Sequence, residues 1–189
     1  MKIKINAPVT IGFVCICLFV LFINMSTDFN TLSYFVTYRD SLRNPMTYIR
    51  WITYIFGHSD WSHFTSNMTF ILLLGPMIEE KYGSRKLCIM IGITGIIGAL
   101  LNSLLFSNTA LCGASGIVFM MMIVSSITSV KQKEIPLTLI LVFVIFVGKE
   151  IYSALFEQDS ISQLTHIAGG FCGDYFVLKR YEILVFYLR

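Results

Sequence analysis

Ser115 stands in Leu111-Cys112-Gly113-Ala114-Ser115-Gly116-Ile117-Val118-Phe119, one hydroxyl among small residues at the head of an apolar run that continues to Val130. A serine in an apolar helix ordinarily bonds back to the carbonyl of the previous turn and does nothing more. The neighbouring glycines argue for more, since each costs roughly 0.5–1 kcal/mol against alanine inside a helix. Bare backbone at Gly113 and Gly116 suits the close approach of another group. The chain has three histidines, His58, His63 and His166. His63 and Asn67 are four residues apart and share a helix face, with His58 just ahead of them. His166 shares a face with Gly169, and Gly169 and Gly173 form a GxxxG pair that lets another helix come close. A hydroxyl and an imidazole brought together by glycine surfaces can perform acyl transfer. In that chemistry Ser115 is the nucleophile and His166 the general base. The Asn67 amide, the His63 imidazole and the Ser115 backbone N–H hold the oxyanion. No acidic residue is placed by sequence to orient His166, so the pair is a Ser-His dyad.

The elements that must position these groups are membrane helices. Of 189 residues, 56% are hydrophobic and 13% charged, and the mean hydropathy is +0.74. That is too apolar for one soluble core of this size. Apolar segments long enough to span are predicted at about 7–27, 63–79, 86–107, 113–130, 135–155 and 162–178. They fill the chain as one six-helix membrane domain over residues 1–189. The first follows Lys2 and Lys4, and Ile23-Asn24-Met25-Ser26-Thr27 is a poor cleavage site, so it reads as a retained helix and not a signal peptide. Lys2, Lys4, Lys81, Arg85, Lys86, Lys131, Lys133, Lys179, Arg180 and Arg189 fall on one side of this layout, and Arg39, Arg43 and Arg50 on the other. Both termini are therefore expected in the cytoplasm. The net charge of +3 reflects that topology and implies no nucleic-acid partner.

Residues 28–57 form a long outer connection rich in aromatics, among them Tyr34, Tyr38, Tyr48, Trp51 and Tyr54. Such a segment suits the membrane interface. Asn44-Pro45 breaks it, and Met46 to Phe56 is expected to run helically into the second span, which Ser59 or Asp60 can cap. His63, Ser115 and His166 lie at similar sequence distances from the inner charges Glu79, Lys131 and Lys179. At 1.5 Å per residue all three stand roughly 20–24 Å up a hydrocarbon core about 30 Å thick. So much polarity at one depth should line a shared hydrated cavity. The five cysteines sit in or beside apolar segments and suggest no disulfide framework; Cys112, near Ser115, is a rival nucleophile that nothing cationic flanks.

These residues resemble the rhomboid intramembrane serine proteases from about residue 45 to 180. The matching motifs are Gly113-Ala114-Ser115-Gly116 for GxSG; His58, His63 and Asn67 in the spacing H-x4-H-x3-N; Glu79 to Gly83 for the ExxxG turn; and His166, Gly169 and Gly173 for H-x2-G-x3-G. The resemblance implies an all-α bundle with a water-filled cavity open to the outside. It also implies cleavage of transmembrane substrates near their outer ends, without metal or cofactor, with lipid as surroundings and lateral entry between helices two and five. An integral multi-pass protein of a bacterial cytoplasmic membrane is expected. Two departures stand out: Ile49-Arg50 replaces the Trp-Arg pair common before helix two, and Phe119 replaces an aromatic that is often Tyr one turn below the nucleophile. Phe119 can pack on His166 but offers no hydroxyl.

Three other readings are open on sequence. An inactive relative typically lacks the serine or the histidine, and both are here. A zinc-dependent hydrolase would draw on His58, His63 and His166, whose spacing is not H-E-x-x-H. A small transporter would use the intramembrane Asp174 and Lys149, with Glu150 beside the latter, but no inverted repeat accompanies them. Chelator sensitivity marks the second and vesicle uptake the third.

Overall fold

A computed structural model describes residues 5–27, 30–107 and 109–129, together with Leu137, Ile140, Leu141, Val144, Ile145, Gly148, Gly169, Cys172 and Tyr175. The expected spans 135–155 and 162–178 lie largely outside the described residues. So do His166, Gly173, Asp174, Lys149 and Glu150. The described part is helical: α1 (Pro8–Ser26), α2 (Pro45–Thr53), α3 (Trp61–Tyr82), α4 (Ser84–Leu105) and α5 (Ser115–Ser129). A single antiparallel bridge, Thr37 to Leu111, is the one extended pairing among the described residues.

Among the described residues α3 packs against α1, α5 and α4, and α4 also touches α5. Its start is set by Asp60, whose carboxylate accepts the His63 backbone N–H at 2.9 Å, and its end by Gly83 at φ 85°. Pro76 lies inside it, yet the helix continues. Just before the proline, Gly75 lets α1 come close, because a Cβ there would lie 2.6 Å from the Thr10 methyl. α1 and α4 are each long and apolar enough to cross a bilayer. Ile16, Phe19, Phe22 and Met25 of α1 are exposed, as apolar residues facing lipid are.

The expected continuous helix from Met46 into the second span does not form. α2 ends at Thr53, tightens into a 3-10 turn over Tyr54–Phe56, and gives way to extended backbone at Gly57. The cause is tertiary. The Phe35 carbonyl occupies the place where a Gly57 side chain would begin, and Asp60 starts a new helix four residues from the end of the turn. The loop before α2 is held by Arg50, which bonds Asp40 at 3.3 Å, donates to the Ser33 carbonyl at 3.3 Å and lies over the Tyr38 ring at 4.6 Å.

Glu79 ties one end of the bundle together. Its buried carboxylate accepts the backbone N–H groups of Val9 and Thr10 at 2.9 Å, the Thr10 hydroxyl at 2.8 Å and the Ser84 hydroxyl at 2.7 Å. It thus fills the open N-terminus of α1 and steadies the start of α4. Glu79→Ala strands all four donors, at about 1–3 kcal/mol for each one left buried and unpaired. A loss of at least about 3 kcal/mol is expected from detergent denaturation, with Glu79→Gln losing less. Equal stability of wild type and Glu79→Ala would refute this role.

Candidate active site

The short stretch before α5 hangs from the outer loop by backbone bonds. Thr37 and Leu111 exchange N–H and carbonyl at 2.9 and 2.8 Å, and the Gly113 N–H donates to the Tyr54 carbonyl at 3.0 Å. The Asn102 amide secures the Thr37 carbonyl at 3.3 Å. Tyr54 is itself fixed by its hydroxyl, which donates to the Gly95 carbonyl at 3.0 Å. Burial drives that phenol well above its usual range, with the Cys172 thiol adding to the effect, so the hydroxyl keeps its proton. Neither Thr37 nor Tyr54 stands out in the sequence. Tyr54 is one aromatic among several in the outer connection, and it is buried.

Gly113 has φ 111°, a backbone conformation that an L side chain resists. A Cβ there would lie 2.6 Å from His63 Nε2, 2.7 Å from His63 Cε1 and 3.7 Å from Asn67 Nδ2. The glycine therefore does two things: it permits the turn into α5, and it lets the turn rest directly on the His63 ring. Asn67 is buried and donates one amide proton to the His63 carbonyl at 3.1 Å, which aims the amide while leaving its second N–H to the site.

Ser115 follows as the first residue of α5, half-buried. At that position its N–H is one of the four helix donors without an intrahelical acceptor, at the positive end of the dipole. Ser126, deeper in the same helix, bonds back to the Met122 carbonyl at 2.8 Å. Ser115 makes no such bond among the described residues. One residue on, Gly116 is covered by Gly169, where a Cβ would overlap the Gly116 carbonyl oxygen. Phe119 is buried one turn further along.

His58 is fully buried and packs edge-on to His63, with ring centroids 5.0 Å apart, and to Phe64 at 5.6 Å. Its Nδ1 lies 3.3 Å from the Phe56 carbonyl. Burial, with the neighbouring His63, lowers the His58 pKa to about 4 from an ordinary 6.5, although the Phe56 carbonyl and the Asp60 charge pull the other way. A histidine held neutral in the fold but free to protonate when unfolded stabilises fully above pH 6.5 and progressively less from there down to about 4. The shift corresponds to about 3 kcal/mol. His58→Gln should flatten the acid limb of a stability-against-pH curve, and an unchanged limb would contradict the assignment. Cys112 is half-buried beside Ser115. Burial and then the Asp60 charge push its thiol up, opposite to what a nucleophilic thiolate requires.

The structure thus gathers His58, His63, Asn67, Gly113 and Ser115 at one end of α3 and α5, and sets Gly169 against Gly116. His166 and Gly173 lie outside the described residues. The family model for the rhomboid domain matches residues 45–181. Similar proteins include Rhomboid protease GlpG of Serratia proteamaculans, 25% identical over 164 residues, which are 86% of this chain and 59% of that protein. Rhomboid-like protein 11, chloroplastic, of Arabidopsis thaliana is 23% identical over 144 residues, 69% of this chain and 51% of its own. Rhomboid-related protein 1 of Caenorhabditis elegans is 30% identical over 137 residues, 67% and 38%. The chain spans about half the length of the curated relatives it matches. It is an integral membrane protein, and it belongs to the rhomboid family.

Proposed function

We propose that the protein is an intramembrane serine endopeptidase that cleaves transmembrane-helix substrates near their outer membrane face through a Ser115-His166 dyad. The observation that carries this reading is the double clamp on the start of α5: Gly113 rests on His63 beside Asn67, and Gly116 touches Gly169. Three motifs far apart in sequence therefore converge within three residues of one serine. A zinc hydrolase or a transporter leaves this convergence without a purpose.

In the proposed reaction His166 accepts the Ser115 hydroxyl proton as Oγ attacks the scissile carbonyl. The oxyanion is held by the Ser115 N–H, the second Asn67 amide proton and His63. The proton passes to the leaving amine, and a water activated by the same imidazole releases the acyl-enzyme. No orienting carboxylate, metal or cofactor takes part in these steps. Gly113 is needed twice over, since a side chain there would strain the turn and displace the His63 ring.

The substrate must be unwound before it is cut, because every backbone group of a helix in lipid is bonded internally. Sequences with Gly or Pro below the cleavage point open most readily. The outer loop, through Thr37 and Tyr54, holds the nucleophile's turn in place while a substrate enters from the side between α3 and the expected fifth span at 135–155. Placement in a bacterial cytoplasmic membrane is part of this proposal.

The test is cleavage of a model transmembrane substrate by the purified protein in detergent. A substrate whose helix-breaking residues are replaced by Leu should be cut several-fold more slowly, and a chelator should leave both rates unchanged. Equal cutting of the two substrates would refute the unwinding step. Loss of cutting on chelation would restore the metal reading.

A further inference from the structure

α4 supplies no group to the proposed chemistry, yet two chains of hydrogen bonds run from it to the turn that carries Ser115. One passes through Tyr54. The Tyr54 hydroxyl donates to the Gly95 carbonyl at 3.0 Å, and the Tyr54 carbonyl accepts the Gly113 N–H at 3.0 Å. Gly95 has no side chain to hold the 3-10 turn away, since a Cβ there would lie 3.2 Å from the Ile55 Cγ2. The other passes through Thr37, which exchanges backbone N–H and carbonyl with Leu111 and whose carbonyl takes a second donor, the Asn102 amide, at 3.3 Å. The same amide donates to the Thr109 carbonyl at 3.5 Å, and the Thr109 hydroxyl donates back to Asn102 Oδ1 at 3.4 Å. Both amide protons and the amide oxygen of a side chain only 1% exposed are thus engaged by the two arms of the Thr37–Leu111 bridge. Gly95 and Asn102 are seven residues apart in α4, two turns along one face and about 10 Å in height.

We propose that Tyr54 and Asn102 are positioning residues that register the Ser115 turn against α4, a role that rests on the reading of Ser115 as the nucleophile. A single tie lets a turn pivot about the bond that holds it. Two ties at different heights, one reaching Leu111 and one reaching Gly113, fix both the place and the tilt of the segment, and Ser115 follows Gly113 by two residues. A catalytic hydroxyl needs this, because a misplacement of about 1 Å is enough to cost about 10²-fold in rate. The side-chain types fit the task. An amide at 102 offers two donors to two carbonyls and an acceptor to a hydroxyl, whereas a carboxylate of the same shape would turn oxygen toward oxygen and a leucine would offer nothing. At 54 only the hydroxyl separates tyrosine from phenylalanine, so the tie to α4 can be removed while the ring and the carbonyl remain. α4 can serve as the reference because its own start is held through Ser84 to the buried Glu79 and its body packs on α3 and α5.

The experiment pairs residue-resolved amide hydrogen exchange of the full chain in detergent micelles with kcat and KM for a model transmembrane substrate, each rate taken per folded molecule. Asn102→Leu should speed exchange of the Leu111 N–H, and Tyr54→Phe that of the Gly113 N–H, by about 10-fold each, while amides in the middle of α3 keep their protection. Each variant should lower kcat at least about 10-fold with KM within about 2-fold of wild type, since substrate binding is untouched and only the alignment of the hydroxyl is lost. Ser103→Ala, in the same turn of α4 and with no hydrogen-bond partner for its hydroxyl among the described residues, should change neither readout. If Asn102→Leu does not fold, Thr109→Val is read in its place, because it removes one bond of the same amide from a half-buried side chain, and the same two shifts are expected at smaller size. Unchanged exchange at Leu111 and Gly113 would overturn the proposal. So would loosened amides with a wild-type kcat, which is what a purely structural role gives. A wild type that shows the exchange effects but cuts no substrate would refute the proposed function, and one that cuts at a rate indifferent to both variants would refute the positioning role alone.

Discussion

Ser115→Ala lowers the rate of substrate cleavage by a factor of about 10⁴ or more, and His166→Ala by a similar factor, with the double variant no worse than either single one. The non-additivity is the informative part. Ser115 and His166 act as one unit in the proposed mechanism: the hydroxyl is a poor nucleophile until the imidazole takes its proton, and the imidazole has nothing to activate once the hydroxyl is gone. Any activity left in either variant comes from the oxyanion donors and from substrate binding, so removing the second partner costs nothing further. Ser115 is half-buried at a helix start, and its Ala variant removes a single oxygen, so that variant should fold normally. Multiplicative losses in the double variant would mean that the two residues act independently. Survival of cleavage in Ser115→Ala would shift attention to Cys112, despite its raised thiol pKa.

The second large effect is steric. Gly169→Val lowers cleavage by at least about 10²-fold, because a side chain at that position overlaps the Gly116 carbonyl oxygen and the two helices have to separate. His166 lies less than one helical turn before Gly169 in sequence, and a shift of about 1 Å in a catalytic group is enough to cost about 10²-fold. Gly92 supplies the control. A Cβ there meets nothing within 4 Å, so Gly92→Ala in α4 is expected to leave activity unchanged and to stabilise by roughly 0.5–1 kcal/mol. Cleavage assays on the two variants, with detergent denaturation alongside, separate the effects. If Gly169→Val cuts at the wild-type rate, the close approach of the two helices does not position the base.

Much of this architecture was legible because membrane helices announce themselves by length and apolarity. Spans expected at 7–27 and 86–107 correspond to Pro8–Ser26 and Ser84–Leu105, and the one at 63–79 to Trp61–Tyr82, extended at its start by the Asp60 cap. The shared helix face of His63 and Asn67 follows from their spacing, and the close approaches at Gly113 and Gly116 follow from the cost of a glycine that no helix needs. What stayed hidden depends on contacts between residues far apart in the chain. Nothing local marks Thr37 as the partner of Leu111, or Thr10 as a donor to Glu79, because each bond is defined by a packing of helices that composition does not encode. Tyr54 was hidden for a related reason: its function lies in its backbone carbonyl as much as in its side chain, and a carbonyl has no residue type. The break at Gly57 was missed because the preceding residues have a helix-compatible pattern. Tertiary contact with Phe35 ended the helix where propensity would have carried it on.

The most direct test of the central claim is covalent labelling with a serine-directed fluorophosphonate probe, in which the modified residue is located by mass spectrometry of the digested protein. Labelling of Ser115 in the wild type, reduced at least about 10²-fold in His166→Ala and untouched by a chelator, is the predicted result. An adduct on another residue, or equal labelling of Ser115 with and without His166, would contradict a serine nucleophile activated by that histidine.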